Sequence, residues 1–198
     1  MDVVIRKAEP YYRGDDFINY YIVTEAPKLV KPVDLKRILE EELGGAMVYL
    51  DANVFIYPLI YDTSLAQATA AIRVLRCVAD GSLPAVTSYL TWDEVVRVVL
   101  KLLGLRDAVS AGYKLLAFPK LKLLEVNEAV IFKAQWIIER YSLRPRDAIH
   151  AATALVSGES LIVSDDKDFD NVREFRRVGV MEFARNLGLN LQAGGHNA

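Results

Sequence analysis

Four acidic residues of this sequence stand where hydrophobic strands are expected to end or helices to begin: Asp51, Glu94, Asp147 and Asp166. Asp51 closes the apolar run 47–51 and precedes a second apolar run, 54–60, where a carboxylate without a partner is costly. Asp166 belongs to a trio with Asp165 and Asp168 that directly follows the apolar stretch 161–164. Glu94 falls in the first turns of a helix expected after a strand at 85–88, and Asp147 in the first turn of a helix expected at 144–157. In an open parallel sheet, ligands bind beyond the carboxyl ends of the strands. Acids gathered there from four separate segments repel one another unless a cation lies among them. Oxygen donors without His or Cys suit a hard cation such as Mg²⁺ or Mn²⁺. Such ions commonly serve phosphoryl hydrolysis, by activating water and neutralising phosphate charge.

Each acid also has a plainer reading. Glu94 follows Thr91 by three residues, the spacing of a capping box, unless Ser88 caps that helix and leaves Glu94 to project inward. Asp147 suits a helix N-terminus on electrostatic grounds alone. Asp165, Asp166 and Asp168 could form a solvated turn. An Asp at the end of a first strand also opens the site of aspartyl-phosphate phosphatases. That chemistry needs a second Asp two residues on to shuttle a proton, and Asn53 cannot do so.

The elements that must position these acids follow from periodicity. From Met47 onward, strands are expected at 47–51, 85–88, 121–126 and 161–164, and helices at 62–80, 89–103, 105–117, 127–141 and 144–157. Ser64 and Gln67 form a candidate capping box for the first helix, Gly81 its stop, and Asn127 a cap for the fourth. Strands alternating with helices imply a parallel sheet covered on both faces, an α/β fold. Residues 1–46 read differently, as a small α+β extension. Strands at 3–5 and 18–24 precede a helix at 33–43, whose Leu35, Ile38, Leu39 and Leu43 share one face, and Gly44-Gly45 breaks the chain. The organisation expected is therefore an accessory segment 1–46, a domain 47–185 and a polar, Gly-containing tail 186–198.

Composition narrows the classes. The chain has 198 residues, 53% hydrophobic and 25% charged, as expected for a globular protein able to bury a core without staples. A lone cysteine, Cys77, sits in an apolar pattern, which excludes a disulfide framework and leaves a buried thiol as its reading. Residues 1–30 carry charges throughout, so no secretory leader is expected there, and Arg97 and Lys101 interrupt the most apolar helix. A cytoplasmic location is the expectation. The formal net charge of −2 disfavours a polyanion partner weakly. However, residues 47–198 hold 17 basic and 17 acidic side chains, so withdrawing four acids into a metal site leaves that surface net positive.

Four segments in order resemble a known family. Residues 48–56 (VYLDANVFI) resemble the opening of PIN domains, L-D-[TA]-N-V-h-I with h hydrophobic, and residues 87–95 (TSYLTWDEV) resemble their second motif, a Thr-Ser pair before a helix bearing an acid. Residues 146–155 (RDAIHAATAL) and 164–169 (SDDKDF) are similar to the third and fourth, with Ser164 in place of a threonine. The resemblance implies a Rossmann-like PIN fold and Mg²⁺- or Mn²⁺-dependent ribonuclease activity. It implies that Asp51, Glu94, Asp147 and Asp166 are catalytic metal ligands, with Asp168 a fifth candidate. Ser164 becomes the site hydroxyl, Asn53 an orienter of Asp51, and Asp165 a neighbour pointing elsewhere. Compact prokaryotic PIN proteins resemble VapC-type toxins, which pair with a small antitoxin and are often dimeric. Such toxins usually begin near the position of Met47, so residues 1–46 depart from the pattern. The implied partners are RNA, an antitoxin and a second copy. The competing reading is a non-catalytic PIN-like module that binds RNA or supports assembly. His150, one turn beyond Asp147, is expected to be a satisfied structural histidine, and His196 to play no part. The tyrosines at 11, 12, 20 and 21 are expected to pack rather than stack on bases.

Overall fold

The computed structural model describes residues 47–188. The elements expected within 1–46, Tyr11, Tyr12, Tyr20 and Tyr21, the tail from 189 and His196 lie outside the described residues. Five parallel strands form one sheet in the order β3-β2-β1-β4-β5. They are β1 (Val48–Leu50), β2 (Ala85–Ser88), β3 (Leu121–Leu124), β4 (Leu161–Val163) and β5 (Arg176–Val178). Among the described residues the α-helices are α1 (Ala52–Ile60), α2 (Ala66–Asp80), α3 (Tyr89–Leu103), α4 (Leu105–Leu116), α5 (Glu128–Tyr141), α6 (Pro145–Val156) and α7 (Val180–Asn186). A 3₁₀ helix spans Lys167–Asn171.

Side chains on a strand alternate between the two faces of a sheet, and the core divides accordingly. Val48 and Leu50 of β1, with Leu161 and Val163 of β4, join a cluster drawn from α1, α2, α3, α4 and α7. Tyr49, Val86 and Ile162 join a second cluster built from α5 and α6. Because both faces are covered, β1 and β4 are apolar throughout. The central β1 therefore delivers Asp51 to the middle of the carboxyl edge. Cys77 is a buried thiol, as its pattern implied. No helix among the described residues is long and apolar enough to cross a membrane.

Capping resolves two of the open readings. Ser88 Oγ accepts the Leu90 N–H and so caps α3, while Thr91 is drawn inward to hydrogen-bond with Thr87 at 2.7 Å. Glu94 is thus free of a capping box. Asn127 caps α5 through the Val130 N–H, and Gly81 closes α2 at a left-handed φ of 85°. The Ser64–Gln67 capping box does not form, which corrects the helix start at 62. The Asp62 carboxylate takes the Ser64 N–H at 2.8 Å, and this local turn displaces the helix start to Ala66. The strand expected at 121–126 stops at Leu124. Neither α1, β5 nor α7 was expected. The run 54–60 is helical despite Pro58, because Asp51 caps it and burial of Val54, Phe55 and Ile60 outweighs propensity.

Candidate metal centre

The site is assembled from the ends of β1 and β4 and the first turns of α3 and α6. Asp51 is 7% exposed and fully engaged. Its Oδ1 accepts the Ala52 N–H at 2.7 Å, and its Oδ2 accepts Asn53 Nδ2 at 2.7 Å and the Ser164 hydroxyl at 2.6 Å. Asn53 Nδ2 also donates to Ser164 Oγ at 2.9 Å, so one amide ties the two strand ends together. Ser164 Oγ accepts the Asp166 N–H at 3.0 Å, and Asp166 Oδ1 accepts the Asp168 N–H at 2.9 Å. The turn after β4 is therefore threaded by side-chain hydrogen bonds into a fixed loop, not merely a solvated one.

Two groups of side chains converge at this edge. Ligand atoms of Asp51, Glu94 and His150 lie within 4.8 Å of one another, and so do those of Asp147, Asp166 and Asp168. Asp165 leaves the cluster: its Oδ1 accepts the Val180 N–H at the start of α7 at 2.9 Å. At the rim, Arg146 Nη1 pairs with Asp93 at 2.6 Å and approaches Glu94 at 3.7 Å. His150 is 1% exposed and lies inside the acidic cluster, closer to it than sequence alone suggested. Its Nε2 is 3.2 Å from Glu94 Oε2, and its Nδ1 is 2.7 Å from the buried Tyr49 hydroxyl. The only sequence signal for this was its spacing of one helical turn from Asp147. Tyr49 was unmarked, because its partner lies 101 residues away.

The electrostatics differ from one acid to the next. Burial lifts the Asp147 carboxyl to about 6, helped by the charges of Asp166, Asp51 and Glu94. Burial also raises Asp51, against the opposing pull of His150 and the hydrogen bond from Ser164. Glu94 goes the other way: burial pushes it up, but the hydrogen bond and charge of His150, then Arg146 and Arg97, bring it below the usual carboxylate range. Burial alone would depress His150, yet the Glu94 hydrogen bond and the charges of Asp51, Glu94 and Asp147 raise it. The cluster retains a proton on Asp147 near pH 6, where a divalent cation would relieve the same repulsion. The donor set, carboxylate oxygens on a rigid frame, fits a hard divalent cation.

A five-stranded parallel sheet with carboxylates gathered beyond its carboxyl edge defines an α/β domain with an acidic site. The family model for the PIN domain matches residues 48–175, and the chain belongs to the PIN-domain family. No curated protein matches it. Among solved structures, the fold is similar to Mycobacterium tuberculosis VapC20, a sarcin–ricin loop cleaving toxin. The two share 20% identity with a TM-score of 0.51, over 62% of this chain and 92% of that one. Similar folds occur in VapBC2 from Rickettsia felis bound to a promoter DNA fragment (14% identity, TM-score 0.53, 68% and 98% covered). A third is PAE2754 from Pyrobaculum aerophilum (18% identity, TM-score 0.52, 73% and 97% covered).

Proposed function

We propose that this chain is a divalent-metal-dependent endoribonuclease, the toxin of a VapBC-type pair. The observation that carries the reading is that two acidic groups, Asp51 with Glu94 and Asp147 with Asp166 and Asp168, lie at the carboxyl edge of a PIN-domain sheet and act on one another through their charges. These side chains would hold Mg²⁺ or Mn²⁺, which supplies an activated water and neutralises charge on the phosphodiester. Asp51 is preset by Ser164 and Asn53, so it needs little reorganisation to bind. Arg146 is part-exposed at the rim, where a guanidinium attracts a phosphate backbone. Support for RNA as substrate comes from the family and from the described action of the VapC20 toxin.

A protein partner is supported by a row of exposed apolar side chains on α4, Leu105, Val109, Tyr113 and Leu116. A contiguous apolar face of this kind marks an interaction surface, and a small antitoxin or a second copy would cover it. The assignment of 1–46 as accessory segment, 47–185 as nuclease domain and 186–198 as tail belongs to the same proposal, as does a cytoplasmic location. The test is cleavage of single-stranded RNA by the purified chain with Mg²⁺ or Mn²⁺. The expected result is cleavage that EDTA abolishes. Equal cleavage with EDTA present would refute metal dependence, and no cleavage under any condition would favour the non-catalytic module.

A further inference from the structure

Asp51, Glu94 and His150 have the look of a ligand trio, since their donor atoms lie within 4.8 Å of one another. The hydrogen bonds around the imidazole argue otherwise. Nε2 faces Glu94 Oε2 at 3.2 Å, and a carboxylate oxygen accepts, so the ring carries a hydrogen on Nε2. Tyr49, fully buried on β1 two residues before Asp51, has its hydroxyl 2.7 Å from Nδ1 and directs its proton to that nitrogen. This tautomer is assigned from the network of partners. Neither ring nitrogen has a lone pair to spare for a metal.

We infer that His150 is a positioning residue: it donates from Nε2 to Glu94 Oε2 and so fixes the Glu94 carboxylate, with Tyr49 holding the ring. The chain Tyr49–His150–Glu94 links β1, α6 and α3, the elements that position Asp51 and carry Asp147. Asn53 and Ser164 orient Asp51 in the same manner from the other side. Hydrogen-bond partners behind a metal ligand commonly change affinity by about 10–100-fold when removed. The inference rests on the proposed reading only in taking Glu94 as a ligand.

Two measurements test it on the full chain. The first is the ¹⁵N–¹H spectrum of the His150 ring, without metal and with Mg²⁺. The expected result is an Nε2-bound proton in both states. An Nε2 that loses its proton when Mg²⁺ binds would make His150 a ligand and overturn the inference. The second is Mn²⁺ affinity by calorimetry for His150→Gln and His150→Leu, each alone and with Glu94→Gln. Gln retains a donor near the Nε2 position, so His150→Gln should bind Mn²⁺ within about threefold of wild type. His150→Leu keeps the bulk but not the donor, and should bind about tenfold more weakly. In the Glu94→Gln background that difference should vanish. Wild-type affinity in His150→Leu, or an undiminished difference in the Glu94→Gln background, would overturn the inference. If His150→Leu does not fold, the Gln variant and the ring spectrum still decide it. Should the chain bind no Mn²⁺ at all, the proposed function fails, while the metal-free spectrum still reports the tautomer.

Discussion

Asp51 and Asp147 belong to the two acidic groups of one sheet edge, yet the protein holds them by opposite means. Asp51 is surrounded by donors: the Ala52 N–H, the Asn53 amide and the Ser164 hydroxyl. Asp147 is surrounded by burial and by the charges of Asp166, Asp51 and Glu94, which lift its carboxyl to about 6. One half of the site is therefore finished by the chain itself, and the other half is left with repulsion that a cation would relieve.

The largest effect separates the halves by sign of stability. Asp51→Ala removes the acceptor for three donors at once. Burial and the Glu94 charge also lift the Asp51 carboxyl, so some repulsion is relieved, but orphaned buried donors cost more. Chemical denaturation of the metal-free variant should show a loss of about 1–3 kcal/mol, and cleavage should be lost. Asp147→Asn should instead leave the metal-free protein as stable as wild type at pH 7, or more stable, while losing cleavage. A destabilised Asp147→Asn would show that this half, too, is held by donors.

The pH dependence sharpens the same contrast. The Asp147 carboxyl titrates at about 6 in the fold, against 3.8 as its ordinary value. A raised carboxyl binds its proton more tightly in the folded state, so its contribution is fully present below about pH 4 and is lost as pH rises through about 6. Metal-free melting temperatures should therefore carry a downward component between about pH 4 and 6 that Asp147→Asn lacks. Other groups add their own slopes, so the difference between the two proteins is what is read.

A smaller effect lies away from the site. A Cβ at Gly112 of α4 would sit 2.8 Å from Trp92 Nε1 and 3.0 Å from Val96 Cγ2 of α3. Gly112→Ala should destabilise by about 1 kcal/mol, because overpacking of roughly 1–3 kcal/mol exceeds the gain in helix propensity of about 1 kcal/mol. Metal binding should be unchanged. A change in metal affinity would mean that the α3–α4 pairing sets the position of Glu94.

Much of this was legible in the residues, where local chemistry and tertiary environment agree. The helix Tyr89–Leu103 was found to the residue, because its period is regular and Ser88 is a good cap. Asp51 and Asp166 were placed by where apolar runs end, and Glu94 and Asp147 by where helices begin. Failures occurred where the two disagree. Helix α1 carries β-branched residues and Pro58, so only its burial reveals it. Strand β5 is three residues with the pattern Arg-Arg-Val at a sheet edge, where Arg177 answers to Asp170 at 2.6 Å instead of to any period. The His150 contacts depend on Tyr49 and Glu94, 101 and 56 residues distant, and no local signal encodes them.

On the proposed reading, the acids of this edge together hold a divalent cation. Melting curves of wild type and Asp166→Asn, each with and without Mn²⁺, test it most directly. The substitution removes one charge at nearly constant shape, so metal-free stability should not fall. With Mn²⁺ at a hundredfold excess over its dissociation constant, wild type should gain about 2.7 kcal/mol, and Asp166→Asn should gain much less. Equal Mn²⁺-induced stabilisation of the two proteins would contradict the account, because Asp166 would then be no part of a metal site.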